Sequence, residues 1–227
     1  MLAMSGRLIF YLAMQGISFP LVALTGAFYA KRYGLRRRIG ARYITLAYIM
    51  LFGVMYLWPW VLELFGINGG LVSSRCFLLV LLPTALLSRP FHLTAWEGAD
   101  FAAPALYLAR AVGKVGCLVN GCCYGVPWEH GIFSHVQMTR AVPLPLYESI
   151  ACVLIAAVTV RVAKSRGYHA NGMAYGASLL LLGLSRYLIQ LATPDIFNNQ
   201  SVYAIVMVLL GLALVFRAWR LSMAQAA

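Results

Sequence analysis

The chain has 227 residues, of which 62% are hydrophobic and 11% are charged. Soluble domains contain only about 45–50% apolar residues, so this composition excludes a soluble globular protein and indicates an integral membrane protein. A formal charge of +12 would suggest nucleic-acid binding in a soluble protein. In a membrane protein basic residues mark topology instead, so we expect a membrane and no nucleic acid as partner.

Seven apolar stretches approach the length of about 20 residues that a helical membrane crossing needs. They are Leu8 to Ala30, Ile44 to Leu64, Leu71 to Ser88, Phe101 to Val119, Pro145 to Val162, Met173 to Ala192 and Val202 to Trp219. We therefore predict one all-α polytopic membrane domain over residues 1–227 with about seven transmembrane helices. The fourth helix is either continuous or broken, because it contains two cations and several glycines.

The distribution of basic residues predicts the orientation of these helices. Six of the eighteen lie in the connection after the first helix: Lys31, Arg32, Arg36, Arg37, Arg38 and Arg42. By the positive-inside rule this connection is cytoplasmic, which places the N-terminus outside and the C-terminus inside. The first helix is then a retained helix rather than a cleaved signal. Residues at about 120–143 form the longest extracytoplasmic loop.

Polar residues interrupt the first and third helices. Tyr11 and Gln15 lie one turn apart on the first helix, which favours a hydrogen bond to a neighbouring helix. Asn68, Gly69 and Gly70 form an outer turn, whose glycines either serve the turn alone or let backbone amides approach a ligand. Arg75 lies just over one turn into the third helix and either marks a functional site or extends to the outer surface.

A basic pair in the fourth helix is the first strong indication of function. Arg110 and Lys114 share a face at a spacing of four residues, where two cations repel unless an anion lies between them. Glu148 on the fifth helix either pairs with one of the cations or acts as a base. Arg186 on the sixth helix lies toward its outer end, with Gln190 one turn further. Together with exposed backbone amides, these cations suit a phosphate group, and a lipid headgroup is the nearest one.

The cysteines leave alternatives open. Their number is five, which is odd and gives no disulfide framework. Cys117, Cys122 and Cys123, followed by His130 and His135, could form a zinc site, but close packing of small residues explains them equally well. A nucleophilic thiol at Cys122 or Cys123 is a further alternative. We predict no metal and no cofactor, and keep the zinc site as the alternative.

One block resembles the signature of the prolipoprotein diacylglyceryl transferases, Gly-Arg-x-Gly-Asn-Phe-x-Asn-x-Glu-x-x-Gly. Here it is Gly113-Lys-Val-Gly-Cys-Leu-Val-Asn-Gly-Cys-Cys-Tyr-Gly125. Ala99-Asp-Phe-Ala-Ala-Pro-Ala105 is similar to the family's Ala-Asp-Leu-Leu-Ala-Pro-Ala, and Pro143-Leu-Pro-Leu-Tyr-Glu148 to its Pro-Ser-Gln-Leu-Tyr-Glu. Asn68-Gly-Gly-Leu71 matches the family's His-Gly-Gly-Leu, and Arg186 matches the arginine of its penultimate helix.

The resemblance implies a reaction in which phosphatidylglycerol donates its diacylglyceryl group to a lipoprotein cysteine, or to a different acceptor, at the outer face of the bacterial inner membrane. It implies catalytic roles for Arg186 and Lys114, which would hold the phosphate. The bases available in the sequence are Glu148, His130 and His135, and we favour Glu148. The expected substrate-binding residues are Arg110, Asn120, Asn68, Gly69, Gly70, Tyr147, Arg75, Tyr11 and Gln190.

Several positions depart from the family pattern. Asn68 stands in place of a histidine, and asparagine cannot act as a general base. Lys114 stands in place of an arginine, which keeps the charge but loses the bidentate fork. Cys117 and Cys122 replace an asparagine and a glutamate. Two alternatives follow: a transferase of the phosphoglycerol headgroup on the same fold, or a non-catalytic phospholipid-binding or partner protein.

Overall fold

A computed structural model describes residues 6–34, 46, 49–50, 86–87, 90–193 and 199–226. This part of the chain is mostly helical. Its helices are α1 (Gly6–Arg32), α2 (Ala95–Asn120), α3 (Leu144–Ser165), α4 (Met173–Gln190) and α5 (Asn199–Ala226). They correspond to the first, fourth, fifth, sixth and seventh predicted crossings. The second and third crossings lie almost entirely outside the described residues, so the count of seven stays a prediction.

Four apolar segments in the described part are long enough to cross a membrane: Gly6–Arg32, Ala95–Asn120, Leu144–Ser165 and Ser201–Ala224. Helix α4 has 18 residues and is not among them. Large apolar side chains nevertheless face outward on the helices, including Leu24 at 71% exposure and Leu188 on α4 at 65%. Apolar surface of this extent is expected where lipid rather than water surrounds a bundle.

Helix α2 begins six residues earlier than predicted. Thr94 and Glu97 form a capping box, in which the Glu97 N–H donates to Thr94 Oγ1 at 3.2 Å and the Thr94 N–H donates to Glu97 Oε2 at 2.6 Å. This pairing satisfies two backbone donors at the helix start. The alternative of a broken fourth helix is wrong, because α2 runs without interruption to Asn120.

Glycines of α2 allow close contact with α1. A Cβ atom at Gly116 would lie 3.0 Å from Cβ of Met14 and 3.3 Å from the Tyr11 carbonyl oxygen. One turn away, Gln15 Nε2 donates to the Gly113 carbonyl at 3.4 Å. The predicted bond between helices at Gln15 is therefore confirmed. Small residues at helix contacts are the usual means of association between helices in membranes.

The central core lies where α2, α3, α4 and α5 meet. It contains the fully buried Tyr107, Tyr175, Leu179 and Met207. Helices α4 and α5 approach closely, because a Cβ at Gly183 would lie 2.7 Å from the Ala204 carbonyl oxygen. This packing sets α4 beside both α3 and α5, and α2 contacts α3 and α4.

A β-hairpin connects α2 and α3, where the sequence analysis predicted only a loop. Strand β1 (Pro127–Ser134) pairs antiparallel with β2 (Thr139–Ala141), with an irregularity between Pro127 and Ile132. Gly131 is required there, since a Cβ would lie 2.3 Å from the Ala141 carbonyl oxygen. The mostly helical fold thus carries one small two-stranded element.

At the end of the bundle away from the hairpin, side-chain contacts join the ends of several helices. The rings of Tyr33 and Tyr168 meet edge to face at 5.3 Å, and the Arg217 guanidinium lies 4.3 Å above the Trp96 ring. The basic ends of α1, α3 and α5 therefore lie together. This arrangement fits the positive-inside rule, although the direction of the bundle across the membrane stays a prediction.

Asp100 lies buried inside α2, beyond the first turn of the helix. Its oxygens accept hydrogen bonds from the Gly172 N–H and the Tyr175 N–H, both at 2.8 Å. Asp100 therefore caps the N-terminus of α4, because the true start of α2 is already capped by Thr94.

Candidate anionic-lipid site

Three cations surround the carboxylate of Glu148. Lys114 Nζ lies 2.6 Å from Oε2, Arg110 Nη2 lies 3.2 Å from the same oxygen, and Arg186 Nη1 contacts Oε1. All four side chains are at most 13% exposed. The structure therefore brings together four of the predicted site residues, and we call them the cation cluster.

Helix geometry places the two cations of α2 on one face. Arg110 and Lys114 lie one turn apart, and both contact Oε2 of Glu148. Glu148 is therefore the anion that the sequence predicts between them. Ser149 holds the two helices in register by donating to the Ala111 carbonyl at 3.0 Å. Arg186 comes from α4 and approaches the other carboxylate oxygen.

The cluster lies near one end of the bundle. Lys114 is six residues before the end of α2, which is about 9 Å along the axis at roughly 1.5 Å per residue. Glu148 and Arg186 are four residues from the nearest ends of α3 and α4, or about 6 Å. The charged site therefore lies within about two helical turns of the helix ends that the hairpin joins.

The charges of the cluster do not balance. Among the described residues three cations face a single carboxylate, and these four side chains, mostly shielded from water, carry a formal charge of +2. Electrostatic interactions are stronger in such a place than in bulk solvent. Within the described residues this surplus is the clearest binding potential for an anion, and arginine and lysine both suit phosphate oxygens.

Other predicted substrate-binding residues lie near the cluster or outside the described residues. Tyr147 is 44% exposed and faces away from its buried neighbour Glu148. Gln190 is buried, and its Nε2 donates to Thr193 Oγ1 at 2.6 Å. Tyr11 lies on α1 at the contact with Gly116. Asn68, Gly69, Gly70 and Arg75 belong to the segment that is not described.

The glycine-rich block is explained by packing. Gly113 and Gly116 face α1, and Gly121 ends α2 with φ of +79°. A Cβ at Gly125 would lie 2.5 Å from the Ala192 carbonyl oxygen. These contacts give the glycines a packing role, and the binding of a phosphate by backbone amides of this block stays a prediction.

Three cysteines of the same block meet beyond the end of α2. The sulfur atoms of Cys117, Cys122 and Cys123 lie within 4.8 Å of one another, and we call them the thiol cluster. Hydrogen bonds from Cys117 and Cys123 lower the pKa of the Cys122 thiol well below its ordinary value, and Asn120 contributes another. His130, the fourth ligand of the zinc alternative, is not a member; its ring packs on Trp128.

The sequence contains signals for two unpredicted features, the early start of α2 and the hairpin. The Thr94-Ala-Trp-Glu97 motif indicates the earlier helix start, and with it the interior position of Asp100. The hairpin left a weaker signal, because its strands are short and exposed at most positions.

Comparison with known proteins decides the family. The family model for prolipoprotein diacylglyceryl transferase matches residues 25–217, which is most of the chain. The chain belongs to this family. The resemblance inferred from the glycine block, the Asp100 segment and the Glu148 segment is thereby confirmed.

Individual relatives are similar at modest identity. A phosphatidylglycerol–prolipoprotein diacylglyceryl transferase of Dechloromonas aromatica is 31% identical over 179 residues, covering 70% of this chain and 66% of the relative. The protein of the same name from Nitrosospira multiformis is 36% identical over 92 residues, covering 38% and 32%. That of Dehalococcoides mccartyi is 32% identical over 87 residues, covering 35% and 34%. The chain thus spans less than two thirds of the length of these relatives.

Family membership also bears on location. Four apolar segments long enough to cross a membrane, in a member of this family, indicate a multi-pass protein of the bacterial inner membrane.

Proposed function

We propose that this chain is a phospholipid-dependent transferase that binds phosphatidylglycerol at the cation cluster and moves the diacylglyceryl group to an acceptor thiol. The observation that carries the proposal is the surplus of buried positive charge around Glu148. The family and the names of the relatives support the donor lipid and the reaction type.

Charge changes during the reaction favour this assignment. The thiolate of the acceptor attacks the glyceryl carbon next to the phosphate, a C–S bond forms, and the C–O bond to the phosphate breaks. The phosphodiester carries one negative charge, whereas the departing glycerol phosphate approaches two at neutral pH. A site with a surplus of +2 therefore stabilises the transition state more than the bound donor, which is the requirement for catalysis.

Each cluster residue has a role in this proposal. Arg186 and Lys114 hold the phosphate and stabilise the departing charge, and Arg110 binds the donor beside them. Glu148 orients all three cations because both of its oxygens are engaged by them. A carboxylate held in this way is a poor proton acceptor, so we favour a positioning role for Glu148, and its role as the base stays a prediction. The acceptor proton leaves to solvent in this scheme.

The remaining predicted residues complete the proposed site. Tyr11, Tyr147, Gln190 and Asn120 would contact the donor beside the cluster. The roles of Asn68, Gly69, Gly70 and Arg75, which lie outside the described residues, stay predictions. We propose seven crossings with the N-terminus outside and the C-terminus inside, so that the hairpin and the cluster face the exterior. This direction follows from the basic residues at the opposite end of the bundle.

A transfer assay with two labels tests the proposal. Purified protein is given a lipobox peptide and phosphatidylglycerol labelled either in the glycerol headgroup or in the acyl chains. We expect release of labelled glycerol phosphate and acyl label on the peptide. Headgroup label on the acceptor would support phosphoglycerol transfer instead. Binding of the lipid without turnover, with peptide or with bacterial extract, would support the non-catalytic alternative and refute the enzyme.

Substitution of Arg186 localises the activity to the cluster. Arg186→Ala is expected to lower kcat at least about 100-fold, the usual cost of removing one preorganised transition-state donor. Arg217→Ala is the matched control, since Arg217 is an arginine at the opposite end that contacts Trp96 and the Asn171 carbonyl. Equal activity of the two variants would remove the cluster from the mechanism.

A further inference from the structure

The thiol cluster is a second group of reactive side chains that the proposed transfer reaction does not use. Cys117 is 7% exposed in the last turn of α2, Cys122 is half-buried and Cys123 is exposed. Their sulfur atoms all lie within 4.8 Å of one another. The fourth cysteine in the described residues, Cys152, is buried in α3 and takes no part.

The backbone brings these thiols together through a specific helix end. The Cys122 N–H donates to the Cys117 carbonyl at 3.2 Å, and the Gly121 N–H donates to the Leu118 carbonyl at 3.3 Å. These two bonds, with Gly121 at φ of +79°, form a Schellman motif. The chain therefore folds back and sets Cys122 over the last helical turn.

Cys123 continues the fold in an unusual conformation. Its φ is +64°, a left-handed backbone conformation that is unfavourable for a residue with a side chain. Such conformations persist where the surroundings enforce them, and they are frequent at ligand sites. The left-handed residue here, Cys123, is also the third member of the thiol cluster.

Bonds that do not involve the thiols hold this loop in place. Ser134 Oγ donates to the Gly121 carbonyl at 2.7 Å, and Tyr124 Oη donates to the Leu118 carbonyl at 3.1 Å. Gln137 Nε2 donates to the Tyr124 carbonyl at 3.3 Å. The hairpin thus fastens both sides of the loop. A site that is formed before its ligand arrives binds with less loss of conformational entropy.

We propose that Cys117, Cys122 and Cys123 form a three-thiolate site for a soft d10 metal ion, either Cu(I) or Zn(II). Thiolate sulfur selects these ions over hard cations such as Mg²⁺ and Ca²⁺. Cu(I) is satisfied by three sulfurs, whereas Zn(II) needs a fourth ligand, and water can supply it on the side where Cys123 is exposed. Binding releases one proton from each thiol that is protonated and changes no oxidation state. The proposal is independent of the transfer reaction.

Metal titration of the purified chain tests this site. Reduced protein is kept anaerobic and titrated with Cu(I) or Zn(II) against a competing chromophoric chelator, and bound metal is counted by elemental mass spectrometry. We expect one ion per chain for at least one of the two metals. X-ray absorption then separates the two, since Cu(I) should show sulfur neighbours alone and Zn(II) three sulfurs with one oxygen.

Serine variants assign the ligands. We expect metal affinity to fall at least about tenfold in each of the variants Cys117→Ser, Cys122→Ser and Cys123→Ser. Loss of a residue that only hydrogen-bonds to a metal ligand already costs about 10–100-fold, and loss of the ligand itself should cost at least as much. Cys152→Ser is the matched control and should bind as the parent does. Cys123 is exposed, so its variant tests the site even where the buried Cys117→Ser variant fails to fold.

Three outcomes would overturn the proposal. The first is absence of stoichiometric binding of either ion by the reduced chain. The second is equal affinity in the parent and in the Cys123→Ser variant. The third is a disulfide within the cluster, seen by peptide mass spectrometry after anaerobic purification, because a disulfide removes two of the three ligands.

Discussion

Asp100 and Glu148 are both buried carboxylates that join helices, but the groups that satisfy them differ in kind. Asp100 on α2 accepts bonds from backbone N–H groups at the start of α4. Glu148 on α3 contacts one lysine and two arginines. The first carboxylate meets the partial positive charge of a helix N-terminus, whereas the second meets three full charges.

The difference separates a structural acid from one in a binding site. At Asp100 a single anion faces neutral donors, and no cation accompanies it in the contacts of the described residues. At Glu148 the cations outnumber the anion, and a surplus of positive charge remains. Surplus buried charge is costly for folding alone, so its presence on three helices favours a ligand that carries the opposite charge.

The strongest test of this contrast is Glu148→Gln. Removing the carboxylate leaves three buried cations facing one another, and breaking a buried ion pair typically costs about 3–5 kcal/mol. We expect a large drop in the midpoint of thermal unfolding in detergent, together with loss of transfer activity.

Glu129→Gln is the control for Glu148→Gln, because Glu129 is an exposed acid on β1. Added anionic lipid should recover part of the stability of the Glu148 variant by binding the cations. An unfolding midpoint equal to that of the parent would contradict the assignment of Glu148 as the centre of the cluster.

Asp100→Asn should have an intermediate effect confined to stability. The amide retains one acceptor but turns its NH₂ group toward a backbone N–H, which leaves a buried donor unpaired at a cost of about 1–3 kcal/mol. The measurement is the free energy of unfolding, followed by kcat and KM at a temperature where the variant is folded. A changed KM for phosphatidylglycerol would show that Asp100 acts on the site and is more than a helix cap.

Thr94→Ala should give the smallest effect. It removes one half of the capping box at the start of α2, and loss of such a cap costs about 1 kcal/mol. Because Thr94 is exposed and acts on its own helix, transfer kinetics should equal those of the parent. A loss larger than that of Asp100→Asn would reverse our ranking of the two caps.

Sequence reasoning predicted part of the site and could not reach the rest. The spacing of Arg110 and Lys114 indicated two cations on one face that need an anion, since this geometry is local to a helix. Glu148 and Arg186 were named as partners, but the choice between private pairs and a shared carboxylate depends on how α2, α3 and α4 pack. The meeting of Cys117 with Cys122 and Cys123 was weighed only as an alternative, because it depends on the backbone turn at Gly121.

The sequence by itself determined the membrane class, the positions of the five described helices and the family signature, because apolar length, charge placement and motif spacing are properties of neighbouring residues. Tertiary structure alone decided that Asp100 caps α4, that one carboxylate serves three cations, and that the block beyond Lys114 ends in a hairpin. The first two outcomes depend on contacts between residues that are from 34 to 75 positions apart in the chain, and helical periodicity carries no information over such separations.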